Sequence, residues 1–134
     1  MSSDKRQELK IPGFPEPISH FTDAVRFGDL LFISGLTARG RDGIIVGIGD
    51  AARQTRQILE NMGTILAAAG AGFADVLKVT VYLTNIDDRP KINPVRAEFF
   101  GAARPASTLV EVSKLVHPDM LVEIEAVVGL PAAG

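Results

Sequence analysis

The chain has 134 residues, a formal net charge of −2, no cysteine, 46% apolar residues and 22% charged residues. Length and apolar content suit one globular domain, which at this size buries roughly two-thirds of the surface its unfolded chain exposes, and they exclude disorder throughout. The lack of cysteine excludes a disulfide, a thiolate nucleophile and a zinc–thiolate site, and a mildly acidic chain whose longest basic cluster is Lys5-Arg6 lacks the charge footprint of a nucleic-acid binder.

Residues 1–10 are polar and charged, without the apolar centre of a signal peptide, and no apolar run approaches the ~18 residues that span a membrane. The expectation is a mobile tail over residues 1–10, a single domain over 11–134, and a cytoplasmic location. Pro12, Pro15 and Pro17 mark an extended lead-in, because proline and the residue before it avoid helix. Residues 24–27 and 30–34 read as strands joined by a turn at Gly28-Asp29. Leu30-Leu31-Phe32-Ile33 is apolar on both faces, the pattern of a strand covered on both sides. Residues 39–43 form a loop with Asp-Gly as its turn signal, and residues 44–46 a short third strand.

Asp50 is placed to cap a helix that reaches about Ala69, with Ile58, Met62, Ile65, Leu66 and Ala69 on one face and Gly70 as its stop. Residues 75–83 alternate as a strand, with Leu77, Val79, Val81 and Leu83 on one face and Lys78, Thr80 and Tyr82 on the other. Asp87 or Asp88 caps a second helix with Ile92, Val95 and Phe99 as its stripe. Pro90 suits the first turn, whereas Pro94 leaves open where regular helix begins. Two strands, 107–112 and 121–128, complete the chain. The last places Val122, Ile124, Ala126 and Val128 on one face and Leu121, Glu123, Glu125 and Val127 on the other. The order β-β-β-α-β-α-β-β gives an α+β fold: one sheet with two helices on one face. Several strands are apolar on both faces, so the uncovered face needs a partner, and a symmetric copy of the chain is the simplest one.

Few residues offer chemistry. Glu123 and Glu125 point to one side of their strand. Such a pair can do acid–base work where the environments separate the two pKa values, or it can be two solvated glutamates. His20 and His117 each have a nearby aspartate, but two lone pairs of that kind do not make a metal-ligand pattern. Ser34-Gly35 ends an apolar strand, where a glycine serves either as a bulge or as a place for a ligand to approach the backbone. Asn93 is either a solvated or capping amide or a ligand contact. No Gly-x-Ser-x-Gly elbow is present, and Gly40 and Gly43 lack the strand–loop–helix setting of a phosphate loop.

Several segments together resemble the Rid (YjgF-type, reactive intermediate deaminase) family. They are Phe32-Ile33-Ser34-Gly35, the helical run from Gln54 to Asn61, the strand from Val76 to Leu83, Asn93 with Ala97-Glu98-Phe99-Phe100, Pro105-Ala106 before Val110-Glu111-Val112, and Leu121-Val122-Glu123-Ile124-Glu125-Ala126. The likeness spans about residues 17–130. It implies a chorismate-mutase-like fold, a homotrimer whose sheets face the trimer interior, and small-molecule clefts between subunits. In active deaminases of that family an arginine clamps the substrate carboxylate and a glutamate positions water. The water attacks the C=N carbon of an imine, or of its enamine tautomer, and releases ammonia without metal or organic cofactor.

Carried onto this chain, the catalytic glutamate is Glu123, and the substrate-binding set is Phe21, Ser34, Gly35, Asn93, Ser107 and Leu109. Two positions depart from the family pattern. Phe21 stands where the family has a tyrosine, and Ser107 stands where it has the arginine. An arginine fork grips a carboxylate through two parallel hydrogen bonds, whereas serine offers one hydroxyl. A hydrogen bond to a charged group contributes roughly 1.5–3 kcal/mol, so loss of the fork costs at least about tenfold in affinity. Arg104 lies an odd number of residues away and is expected to face the other side. These departures predict weak activity on imines of simple amino acids, and a gain from Ser107→Arg. The alternative is a metabolite-binding homologue without catalysis. A ribonuclease function, attached to some relatives, sits poorly with the acidic charge, and neither nucleic acid nor membrane is an expected partner.

Overall fold

Residues 5–132 are described by a computed structural model. Six strands form one mixed sheet: β1 (Arg6–Leu9), β2 (Ala24–Phe27), β3 (Leu30–Leu36), β4 (Val76–Leu83), β5 (Ala106–Glu111) and β6 (Val122–Gly129). Their spatial order is β1-β2-β3-β6-β4-β5, with β4–β5 parallel and all other pairs antiparallel. The helices α1 (Ala51–Ala68) and α2 (Arg89–Phe100) pack on each other and cover one face. This is the expected α+β arrangement, a mixed sheet with two helices on one side.

The core follows the alternation of the strands. Leu31 and Ile33 of β3, Val79, Val81 and Leu83 of β4, and Val122, Ile124, Ala126 and Val128 of β6 are buried under the helices. They meet Ile58, Leu59, Met62, Ile65 and Leu66 of α1. A Leu or Ile side chain buried in this way contributes roughly 1.5–3 kcal/mol. Asp50 caps α1 by accepting from Arg53 N at 2.9 Å. Beyond the helix end, Gly70 adopts φ +76°, the left-handed turn that ends a helix most cheaply without a Cβ.

Four local expectations are corrected. Residues 6–9 do not lie in a tail outside the domain: β1 pairs with β2 along its whole length, Arg6 opposite Phe27 and Leu9 opposite Ala24. Residues 44–46 are not a strand. A single bridge joins Arg39 to Ile45, and Ile44 is 64% exposed, because positive-φ glycines at 43 and 47 turn the chain on either side. In β4 a register shift between Val76 and Lys78 turns Val76 into the core and Leu77 out. Finally, α2 starts at Arg89 and runs through Pro94. Asp88 occupies its N-cap without a capping bond and instead pairs with Lys91 at 3.1 Å.

The other face of the sheet is open. It carries Phe27, Leu30, Phe32, Leu77 and Val110, all exposed apolar side chains, around a polar centre of Lys78, Thr80, Tyr82, Glu123 and Glu125. Tyr82 Oη donates a hydrogen bond to Glu125 Oε1. Among the described residues, no helix is long and apolar enough to cross a membrane.

Candidate functional site

Strand β3 breaks its register where chemistry was expected. Ile33 pairs with Ala126 and Leu36 with Ile124, so Ser34 and Gly35 together oppose Glu125 alone. Two residues against one is a β-bulge, which bends a strand and re-aims its side chains. The bulge brings Gly35 against Glu123 of β6. A Cβ at position 35 would stand 2.9 Å from Glu123 Cδ and closer still to Oε2. Glycine is needed here for space rather than for backbone conformation.

Beside this contact opens a cavity of about 640 Å³. Phe21, Ser34, Gly35 and Glu123 all line it, so four of the seven expected site residues converge. Ser34 has a second duty. Its Oγ donates to Thr22 O at 2.6 Å and its N–H to Asp23 O at 3.1 Å, which ties the segment carrying Phe21 to the bulge. The hydroxyl proton is thereby committed, and a ligand finds only the oxygen's lone pairs.

Glu123 is half-buried, and burial pushes its carboxyl above the ordinary glutamate range. The neighbouring charge of Glu125, two residues along on the same face, raises it further. A carboxylate that holds its proton more tightly is also a stronger base and a better hydrogen-bond acceptor for water. The two glutamates thus differ in role: Glu125 is engaged by Tyr82, while Glu123 lines the cavity.

Asn93, Ser107 and Leu109 do not reach this cavity. Ser107 stands on the edge strand β5 opposite Val79, hence on the helix-covered side. Glu123 stands on the open side, opposite Tyr82. Leu109 is half-buried against the core, and Asn93 is exposed on α2. Within one protomer these two groups of residues belong to different places. Arg104 is exposed and precedes β5. His117 acts as a turn cap, its Nδ1 accepting from Asp119 N at 3.0 Å.

Three residues that sequence reasoning missed belong to the site or its frame. Arg39 and Arg41 line the cavity, Arg41 stacked 5.3 Å above the Phe14 ring and Arg39 donating to Gly43 O at 3.3 Å. They sit in a loop whose path only the tertiary structure defines. Gln54 is fully buried. Its Nε2 donates to Asp119 O and its Oε1 accepts from Leu121 N, both at 2.8 Å, so it fixes the chain entering β6 just before Glu123. An amide at a core-facing position of the α1 pattern was the available signal.

The family model described as Endoribonuclease L-PSP matches residues 13–130. A RutC family protein of Pyrococcus horikoshii is 48% identical over 114 residues, covering 84% of this chain and 89% of the relative. The 3-aminoacrylate deaminase RutC of Acinetobacter baylyi is 38% identical over 122 residues, covering 90% and 96%. The crystal structure of Escherichia coli TdcF with bound serine superposes with a TM-score of 0.84 at 30% identity, covering 93% of this chain and 99% of that one. By its sequence and its sheet-and-helix order, the chain belongs to the YjgF/Rid family, the family of Endoribonuclease L-PSP proteins.

Proposed function

We propose that the protein hydrolyses reactive imines or their enamine tautomers to carbonyl compounds and ammonia, with Glu123 orienting the attacking water. The observation that carries this reading is the Glu123 carboxylate, half-buried and pressed against Gly35, lining a cavity with Phe21 and Ser34. In the reaction, water accepts a place beside the carboxylate and adds through oxygen to the C=N carbon. The water's two protons pass to nitrogen, the first on addition and the second from the new hydroxyl as the C–N bond breaks, so that ammonia leaves as the C=O bond forms. The 3-aminoacrylate deaminase among the relatives and the serine bound to TdcF support a small amino-acid-derived substrate that bears a carboxylate. The net charge of −2 argues against an RNA substrate.

The site is completed, in this reading, by a second subunit of a cytoplasmic homotrimer. Two observations support assembly: the exposed apolar side chains of the open sheet face, and the separation of Asn93, Ser107 and Leu109 from Glu123 within one protomer. A second reading, metabolite binding without turnover, draws on Phe21 and Ser107 at the two departures from the family pattern. Ammonia release from freshly generated 2-iminobutyrate or 3-aminoacrylate separates them. Turnover that is lost in Glu123→Gln supports the deaminase, and equal rates with and without protein support the binder.

A further inference from the structure

The guanidinium of Arg96 is not accounted for by the cavity at Glu123. Arg96 lies on α2, and its Nη2 donates to Ser107 Oγ across 2.8 Å. Ser107 Oγ is its only hydrogen-bond acceptor among the described residues, and none of their carboxylates forms an ion pair with it. Arg96 is nevertheless partly buried. A guanidinium carries five N–H donors in a rigid fork, and one neutral hydroxyl satisfies a single one of them. Half-removing such a cation from water without an anion is unfavourable for stability, so the arrangement is better suited to receiving an anion than to holding the fold together.

The surroundings point the same way. Residues 89, 93 and 96 follow the i, i+4, i+7 spacing that places them on one stripe of α2. Arg89 therefore adds a second positive charge to that stripe, and Asn93 an amide. Burial, and then the charge of Arg89, lower the Arg96 pKa, yet an arginine stays protonated at any physiological pH. The stripe borders Ser107, the position that lacks the expected arginine.

We propose that Arg96, held by Ser107 and flanked by Asn93, is the carboxylate-binding residue of this protein, and that it acts on a ligand shared with Glu123 of a neighbouring subunit. The guanidinium is supplied from the helix instead of from the edge strand. The neighbour is required because Ser107 and Glu123 lie on opposite sides of one sheet. The ligand class is a small 2-oxo or 2-imino acid, an identification that rests on the deaminase reading. The choice of residue rests on the geometry alone.

Calorimetric titration of the assembled protein with 2-oxobutyrate tests this, since that carboxylate has no ammonia to release. Arg96→Gln is expected to weaken binding about tenfold or more, because both arms of the fork are lost. Ser107→Asp, a change at an exposed position, is expected to weaken it as much by giving the guanidinium an internal carboxylate. This variant carries the test should Arg96→Gln fail to assemble. Wild-type affinity in either assembled variant overturns the proposal, as does the absence of saturable binding to the wild-type protein. Turnover is read separately. Arg96-dependent binding without ammonia release from 2-iminobutyrate supports the assignment of Arg96 while contradicting the deaminase reading.

Discussion

Gly35 and Glu123 are in direct contact across the β3 bulge, with the glutamate side chain filling the space that a Cβ at position 35 would take. The φ of Gly35 is not positive, so alanine fits the backbone, and the group that must move is the end of a flexible side chain. Gly35→Ala is therefore expected to fold with less than about 1 kcal/mol change in stability. Ammonia release from 2-iminobutyrate should nonetheless fall at least about tenfold, because a displacement near 1 Å at a reacting group is costly. Thermal melts and initial rates on the same preparation check both halves, and unimpaired turnover would separate Glu123 placement from catalysis.

Glu123 also sets a pH dependence. Its raised pKa means that the folded protein binds this proton more tightly than the unfolded chain does. Folding is penalised in full above the folded-state pKa, and the penalty fades as pH falls toward the ordinary glutamate value. Glu123→Gln should accordingly raise Tm by a few degrees at pH 7 to 8 and lose that advantage near pH 4, about the unperturbed range. The wild-type rate should decline on the acid side with a midpoint above that of an unperturbed glutamate. A Glu123→Gln protein less stable than wild type at neutral pH would contradict the assigned burial.

Gln54 joins α1 to the start of β6 through hydrogen bonds to Asp119 O and Leu121 N. Gln54→Ala removes both partners' counterparts inside the core, and each orphaned backbone group costs about 1–3 kcal/mol. The expected loss is about 2–4 kcal/mol by chemical denaturation. Gln54→Glu should lose nearly as much, since a carboxylate cannot donate to Asp119 O.

The sequence alone leads to the expectation that Ser107→Arg raises activity. With Arg96 already 2.8 Å from Ser107 Oγ, we expect the opposite. A second guanidinium there meets a like charge, so the single variant should gain little or lose activity. In the Arg96→Gln background the same substitution should restore KM toward the wild-type value, because one fork then occupies the place. Steady-state kinetics of the two singles and the double resolve the coupling.

Much of this architecture is legible from residue order. The alternation of Val122, Ile124, Ala126 and Val128 puts Glu123 on the opposite face of β6, and the apolar spacing from Ile58 to Leu66 gives α1. What stayed hidden depends on tertiary context. The strand Arg6–Leu9 is polar and sits at a sheet edge, where pairing with β2 overrides its weak pattern. The shift at Val76 and the bulge at Ser34-Gly35 change which residue faces the core, which strict alternation cannot anticipate. Arg96 escaped notice because the resemblance directs attention to position 107, while the guanidinium reaches that spot from another element.

Subunit mixing tests the central claim most directly, that Glu123 of one protomer and Arg96 of its neighbour share one ligand. Arg96→Gln and Glu123→Gln chains carrying different tags are co-expressed, mixed oligomers are isolated through both tags, and ammonia release is measured. In a trimer that holds both kinds of chain, one site in three has both intact residues, so activity should recover to about a third of wild type, although Glu123→Gln alone is inactive and Arg96→Gln alone is at least about tenfold impaired. Mixed oligomers no more active than the parent variants would contradict a site built between subunits.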